Sequence, residues 1–246
     1  ISKLDDDAFT KVRVVLMNGI ESEALRFSHA CARMNSDLQL ALARVRRVES
    51  VGGITYLRPL SEMNNGNNPY SAYALSGRSR GRAFSTRQFQ RAWRRLALIL
   101  RGGPLERINA RLDRMGMPPV RTGAAELPRP KMALMWVPLS FGNPEIAKNH
   151  PKHWWPGARY VDWVGTTWYS PYRASSAMHR MYNFPLWRGK PFAFAEWGVW
   201  GADRPDFVRQ FFSFLKSHPR VRMAVYYQSA FLKPEFRLST HPASRA

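Results

Sequence analysis

Short, continuously apolar runs recur along this chain between helix-like stretches, and that alternation limits what it can fold into. The runs are Val12–Met17, Ile54–Leu60, Met132–Val137, a strand and its exit within Tyr160–Tyr169, Phe192–Trp197 and Val221–Tyr227. Strands that are apolar on both faces need cover on both faces, so the pattern points to a parallel sheet carrying helices. Glu21–Val48, rich in Ala, Leu and Arg, reads as one or two of those helices. The clearest helix starts at Ser85, an N-cap with Gln88 three residues on. Phe89, Trp93, Leu96, Ala97 and Leu100 follow at helical spacing, and Gly102-Gly103-Pro104 stops the run. Ser175–Tyr182 reads as a further helix, as does a segment opened by Asp203 and Pro205 with a stripe of Phe207, Phe211, Phe214 and Leu215. Gly116 to Pro130 reads as a connection. Asn64 to Arg82 is a long polar loop, and loops of that length are functional or disordered.

The six runs fall two short of a closed eight-stranded α/β barrel, which typically takes about 250 residues. The chain has 246 residues, and the shortage lies at its front, where one strand–helix unit precedes Ile54. In such barrels the working residues sit at the carboxyl ends of the strands. Glu62 follows Ile54–Leu60 directly, and Glu196 ends the Phe192 run; Trp136, Tyr169 and Tyr227 lie near the ends of three others. An unpaired carboxylate is costly to bury. Two strands ending this way suggest two carboxylates facing one another across a site, the arrangement that glycoside hydrolysis needs.

Composition narrows the partners. The chain carries 38 Lys+Arg against 17 Asp+Glu, a net charge of +21 that is mostly arginine. Such a balance suits acidic partners or simply a solvated basic surface. Nucleic-acid binding through the Arg78–Arg114 stretch would show affinity falling steeply with salt. Those arginines are spread around a helix whose other face is apolar, so a solvated face is expected and no nucleic-acid partner. Nine tryptophans fit both a packed interior and a sugar cleft. Cys31 stands alone, so no intrachain disulfide forms. His150 and His153 have no carboxylates or cysteines around them in sequence, and Gly77–Gly81 is too polar and arginine-rich to open a dinucleotide site. No metal and no cofactor are expected. No apolar run approaches the roughly 20 residues needed to span a bilayer. A signal-peptide pattern is lacking and the chain starts at Ile1, which reads as a processed product, an excised domain or an incomplete reading frame.

Several segments, in order, resemble family 26 of the glycoside hydrolases, the β-mannanase-type family of the large retaining clan. Leu57-Arg58-Pro59-Leu60-Ser61-Glu62-Met63-Asn64 is similar to the family's acid/base strand, and Trp93-Arg94 to the helix after it. Met135-Trp136-Val137-Pro138 resembles the next strand, and Trp155 to Gly165 resembles the signature PG-x-x-YVDWVG. Lys190-Pro191 through Glu196-Trp197-Gly198 is similar to the nucleophile strand. The resemblance covers residues 54–228. It implies a (β/α)8 TIM-type barrel, one domain over residues 1–246 with the first strands missing from this chain. It also implies double displacement with retention on a β-linked polysaccharide such as mannan or β-glucan, endo-acting, in a secreted or cell-surface monomer.

On this reading Glu196 is the nucleophile and Glu62 the acid/base, with carboxyl groups about 5–5.5 Å apart. The nucleophile's charge at that distance should raise the pKa of Glu62. Arg58 and the Tyr169 hydroxyl are expected to orient Glu196 and Asn64 to donate to a sugar hydroxyl. Trp136, Trp168, Trp197 and Trp200 would be stacking platforms, with Tyr227 also binding substrate. Asp162 is expected to be structural, beneath the rim. Three positions depart from the family pattern: Ser61 for a histidine, Asn65-Gly66-Asn67-Asn68 for an aromatic, and Thr167 for an aspartate. They bear on which sugar is taken and leave both glutamates in place. The competing reading is an inactive carbohydrate-binding protein on the same barrel.

Overall fold

The computed structural model describes residues 12–15, 45–172, 175–228 and 236–245. Six strands form one sheet: β1 (Val12–Val15), β2 (Ile54–Leu57), β3 (Met132–Trp136), β4 (Trp163–Tyr169), β5 (Phe192–Gly198) and β6 (Val221–Tyr226). They lie in chain order and every pairing is parallel. Each strand is therefore beside its predecessor in sequence, as in successive β/α units of a barrel. Each of the six expected runs holds one strand, and Ile54–Leu60 pairs only as far as Leu57. Of the expected helix Glu21–Val48, only its end lies within the described residues, where 45–49 are helical.

The connections supply the outer layer. Helices α1 (Thr86–Arg101) and α2 (Leu105–Arg114) join β2 to β3, α3 (Ser175–Asn183) joins β4 to β5, and α4 (Pro205–Ser217) joins β5 to β6. A short α5 (Pro242–Arg245) follows, while β3 passes to β4 through 3₁₀ turns. Helix α1 begins as its sequence dictates: the Ser85 hydroxyl accepts from the Gln88 amide at 3.3 Å, and Gly102 ends the helix with φ 66°. Helix α2 is the element the sequence reading missed. Its signal is Leu105, Ile108 and Leu112 behind Pro104, and Ile108 and Leu112 pack with Leu98 and Met117. Asp203 does not cap α4; its carboxylate accepts from the amides of Ala243 and Ser244 and so holds α5 in place.

Strand alternation sorts side chains to two sides of the sheet. Met135, Val137, Ala193 and Ala195 form one buried cluster, with Tyr56, Trp163 and Met223 packed against it. Residues of the opposite parity, Leu57, Leu134, Val164, Phe192 and Phe194, belong to the larger core that includes Trp93 of α1 and Phe207, Phe211 and Phe214 of α4. The first side is therefore the inner side and the second faces the helices. The inner side is tight at Gly165, where a Cβ would meet the Ala193 carbonyl oxygen at 2.9 Å and Val137 Cγ2 at 3.2 Å.

One ion pair fixes the curvature. Arg58, just past β2, donates to Glu196 on β5, although β3 and β4 lie between them. In a flat sheet three strand spacings put those backbones about 14 Å apart, a span the two side chains could bridge only if fully extended within the plane of the sheet, whereas strand side chains stand roughly perpendicular to it. The sheet must curl inward for the pair to form, as a barrel wall does.

The Ser85 cap offers a simple check on α1. Ser85→Ala should lower stability by about 1 kcal/mol, read as a fall in the urea midpoint with the slope unchanged.

Candidate active site

A cleft of about 430 Å³ at the carboxyl ends of the strands is lined by Glu62, Asn65, Thr167, Tyr169 and Trp200 among others; Glu196 is outside that lining and is joined to it through its hydrogen bond with Tyr169. Strand β4 organises it. Thr167 and Tyr169 share the inner face of that strand, two residues apart. The Thr167 hydroxyl donates to Glu62 Oε1 at 2.9 Å, and the Tyr169 hydroxyl donates to Glu196 Oε2 at 2.5 Å. One face of one strand thus holds one carboxylate with each of two hydroxyls. Thr167, a departure from the family pattern, is the direct partner of Glu62.

A bulge aims Glu196. Thr166 pairs with Phe194 but Thr167 pairs with Glu196, so Ala195 is an extra residue on β5. Without it Glu196 would share the parity of Phe192 and Phe194 and face the helices. The extra residue turns Glu196 to the inner side and Trp197 to the outer side. Trp197 there stacks on Phe211 with ring centroids 3.9 Å apart. Arg58 donates to Glu196 Oε1, completing the carboxylate's pairing. This arginine is 2% exposed and the Glu196 side chain 17%.

Glu62 is held by its own loop. Leu60 and Glu62 both adopt left-handed backbone, with φ 49° and 51°. Each such residue costs on the order of 1–3 kcal/mol and persists where its surroundings over-determine it. The Tyr70 hydroxyl donates to the Ser61 carbonyl at 2.5 Å, the Asn68 amide to the Glu62 carbonyl at 2.8 Å, and the Glu62 amide to the Val137 carbonyl at 2.7 Å. Arg80 donates to the carbonyls of Asn68 and Gly66 at 2.8 and 2.6 Å. The long loop from Asn64 to Arg82 is thus a laced collar around the carboxylate. Gly66 is required in it, because a Cβ would sit 2.8 Å from the Leu75 amide nitrogen. Asn65 bonds Glu62 Oε2 at 3.2 Å and itself accepts from Asn143 at 3.3 Å. The sequence reading missed Asn65, Asn143 and Tyr172; the asparagine-rich stretch after Glu62 was the signal for Asn65 alone.

Electrostatics follow from this packing. Burial, and then the charge of Glu196, push the Glu62 carboxyl above its ordinary value, with the Thr167 and Asn65 hydrogen bonds and Arg58 pulling the other way. Burial is the larger cause, where the sequence reading invoked only the neighbouring charge. Burial and Glu196 likewise hold the Tyr169 phenol well above its usual range, so it remains a donor.

Other expected site residues fall elsewhere. Asn64 is fully buried; its amide donates to the carbonyls of Leu139 and Phe141 and its oxygen accepts from the Leu139 amide, so it braces a loop and offers nothing to a sugar. Trp136 and Trp168 have the outer parity. Trp136 packs between Trp155 and Trp187, and Trp168 packs on Phe207, Phe211 and Phe214. Neither they nor Trp197 can stack on a ligand in the cleft. Trp200 does line it, beside Tyr169 and Tyr172. Tyr227 packs edge-on to Tyr169 and Phe236, one shell behind the cleft. Asp162 accepts from Arg101 at 2.7 Å and from the Leu134 amide at 2.9 Å, a structural role beneath the rim. Among the described residues no cluster of His, Cys, Asp and Glu could hold a metal ion, and no helix is long and apolar enough to cross a membrane.

Two stability measurements separate these groups. Arg58→Ala strands Glu196 in a buried setting and should cost about 3–5 kcal/mol. Arg101→Ala breaks a pair whose members are 36% and 37% exposed, and should cost no more than about 1 kcal/mol. The second concerns Glu62. Because its folded-state pKa is raised, the folded protein keeps the proton that the unfolded chain releases above the ordinary value. Its burial therefore weighs against folding increasingly as pH rises from that value toward the folded pKa, and not below. Denaturation of Glu62→Gln and the parent should show the difference moving in favour of the variant as pH rises above the ordinary carboxylate value.

No protein-family model matches the sequence, and no curated protein matches it. Solved structures do. A Bacillus subtilis mannanase aligns over 94% of this chain and 57% of its own, at 16% identity and a TM-score of 0.50. The YdhT protein from Bacillus subtilis aligns over 99% and 58%, at 17% identity and a TM-score of 0.51. GH26A from a Muricauda species aligns over 87% and 56%, at 14% identity and a TM-score of 0.50. The chain spans a little over half the length of each. What it shares with them is a fold, that of the family 26 glycoside hydrolases.

Proposed function

We propose that this chain is a retaining glycoside hydrolase that cleaves a β-linked polysaccharide inside its chain. Residues 1–246 form one domain, and the six strands belong to an eight-stranded barrel. The observation that carries the reading is the division of labour on β4: Thr167 holds one glutamate, Tyr169 the other, and the two carboxylates are close enough to perturb each other. Two carboxyl groups with environments this different are what an acid and a nucleophile require.

Glu62, its pKa raised, begins protonated. Glu196, accepting from Arg58 and Tyr169, attacks the anomeric carbon as the bond to the leaving sugar breaks. The Glu62 proton passes to the departing oxygen. Water then attacks the glycosyl–enzyme carbon, gives its proton to Glu62, and Glu196 leaves as a carboxylate. Trp200 and Tyr172 supply aromatic faces at the cleft, and Asn65 and Asn143 supply amides. Mannan is the natural first substrate because the solved mannanase shares the fold; β-glucan stands beside it.

Reducing-sugar release from a panel of mannan, β-glucan and xylan tests the reading. The parent should release sugar from one of them. Glu62→Gln should lower kcat by about 10²–10⁴-fold, and Glu196→Gln, which keeps an acceptor for the buried Arg58, should reduce turnover to background while leaving binding of the polysaccharide intact. A folded parent that releases nothing but still binds would establish a carbohydrate-binding protein instead. If the enzyme turns over, Thr167→Val removes a hydrogen bond that lowers the Glu62 pKa, so the alkaline limb of its pH–rate profile should move to higher pH.

A further inference from the structure

A second cleft, of about 720 Å³, lies away from the glutamates. Its walls are the end of α1 with the turn after it, one face of α2, and the segments that lead into β3 and β4. Those segments enter the amino ends of the strands, so this cleft is on the rim opposite the glutamates. Six arginines line it: Arg101, Arg107, Arg111, Arg114, Arg129 and Arg159. Arg107, Arg111 and Arg114 fall at i, i+4 and i+7, one face of α2. Like charges at that spacing repel and weaken a helix. Arg101 is answered by Asp162 and Arg129 by Glu126. Arg107, Arg111, Arg114 and Arg159 have no ion-pair partner among the described residues. The acidic residues of α2, Glu106 and Asp113, lie about a third of a turn away round the helix. The floor is apolar, built from Leu98, Ile108 and Met115 with the half-buried Tyr160 at one side.

A single small anion cannot answer arginines strung over about 10 Å of helix; a chain with repeated negative groups can. The planar guanidinium fork binds carboxylates in pairs of parallel hydrogen bonds. We propose that this cleft binds a carboxylate-bearing, uronate-containing oligosaccharide, as a second glycan site on the opposite rim from the candidate active site. The choice of a sugar rests on the glycosidase reading; the demand for a polyanion does not. A membrane surface fits poorly, since among the described residues the large exposed apolar side chains, Val51, Ile54, Leu75, Tyr172, Leu186 and Phe212, all lie outside this cleft. Single-stranded nucleic acid binds through aromatic platforms that stack successive bases. The cleft's one aromatic, Tyr160, already has the Arg94 guanidinium 5.7 Å from its ring centroid.

Calorimetric titration of the whole chain tests this with trigalacturonate, mannotriose and a short oligothymidylate, on the parent and on Arg107→Gln/Arg111→Gln. Both arginines are exposed and glutamine is a good helix former, so the fold should survive; circular dichroism checks it. Trigalacturonate should bind the parent, at least tenfold more weakly in the variant, and less well as salt rises. Mannotriose should not distinguish the two proteins. Equal trigalacturonate affinity in both, no binding by either, or tighter binding of the oligothymidylate would each overturn the proposal. Sugar release from a neutral polysaccharide should be the same in both proteins. Its absence from both would sink the glycosidase reading while leaving the binding result to stand.

Discussion

The contact between Arg58 and Glu196 is the constraint on which the rest of this structure depends. It joins β2 to β5 across the inner side of the sheet, over two intervening strands. That reach is possible only if the sheet curls, and a curled parallel sheet gathers the carboxyl ends of its strands around a common axis. The same curl brings the collar after β2 against the end of β4, where Thr167 meets Glu62. Fold and site thus meet in one interaction. A buried charge pair adds little net stability by itself, since desolvation offsets attraction; here its larger effect is geometric.

Within that frame β4 and β5 divide the work. Strand β4 is regular through Thr167 and Tyr169, so its alternation puts two hydroxyls on one side, one for each carboxylate. Strand β5 is irregular, and its extra residue decides which way Glu196 points. The Glu62 side is built differently, from a left-handed backbone held by loop hydrogen bonds. One carboxylate is paired with a cation and a phenol, while the other is buried beside a hydroxyl and an amide. The contrast in environment separates their chemistry.

Much of the fold was legible because it follows from local rules. The strand runs, the Ser85 cap and the Phe207–Phe214 stripe are short-range patterns, and the structure realises them. The glutamates were legible as strand-end carboxylates, although their partners were not all foreseen. The tryptophans misled because parity cannot be counted without knowing where strands start and where a bulge intervenes. Trp136 and Trp168 lie near strand ends, yet their alternation points them to the outer side of the sheet, and the bulge does the same to Trp197. Asn64 looked like a ligand group because its position matched the motif, but tertiary packing put its amide on loop carbonyls. The arginine-lined cleft was invisible for another reason. Arg107 and Arg159 are far apart in sequence, and only the return of the chain to the same rim brings them together. A reading of the charge as a solvated helix face accounts for α2 alone, not for the concave surface it shares with its neighbours.

The central claim is that the two glutamates occupy one groove and feel each other's charge. The direct measurement is titration of the Glu62 carboxyl, by carbon-detected NMR of side-chain-labelled protein, in the parent and in Glu196→Gln. The substitution removes the neighbouring negative charge and leaves Arg58 close by, so the Glu62 pKa should fall clearly in the variant while remaining above its ordinary value through burial. An unchanged Glu62 titration would mean that the carboxyl groups do not share a site, and the account of this chain as a two-carboxylate enzyme would fail.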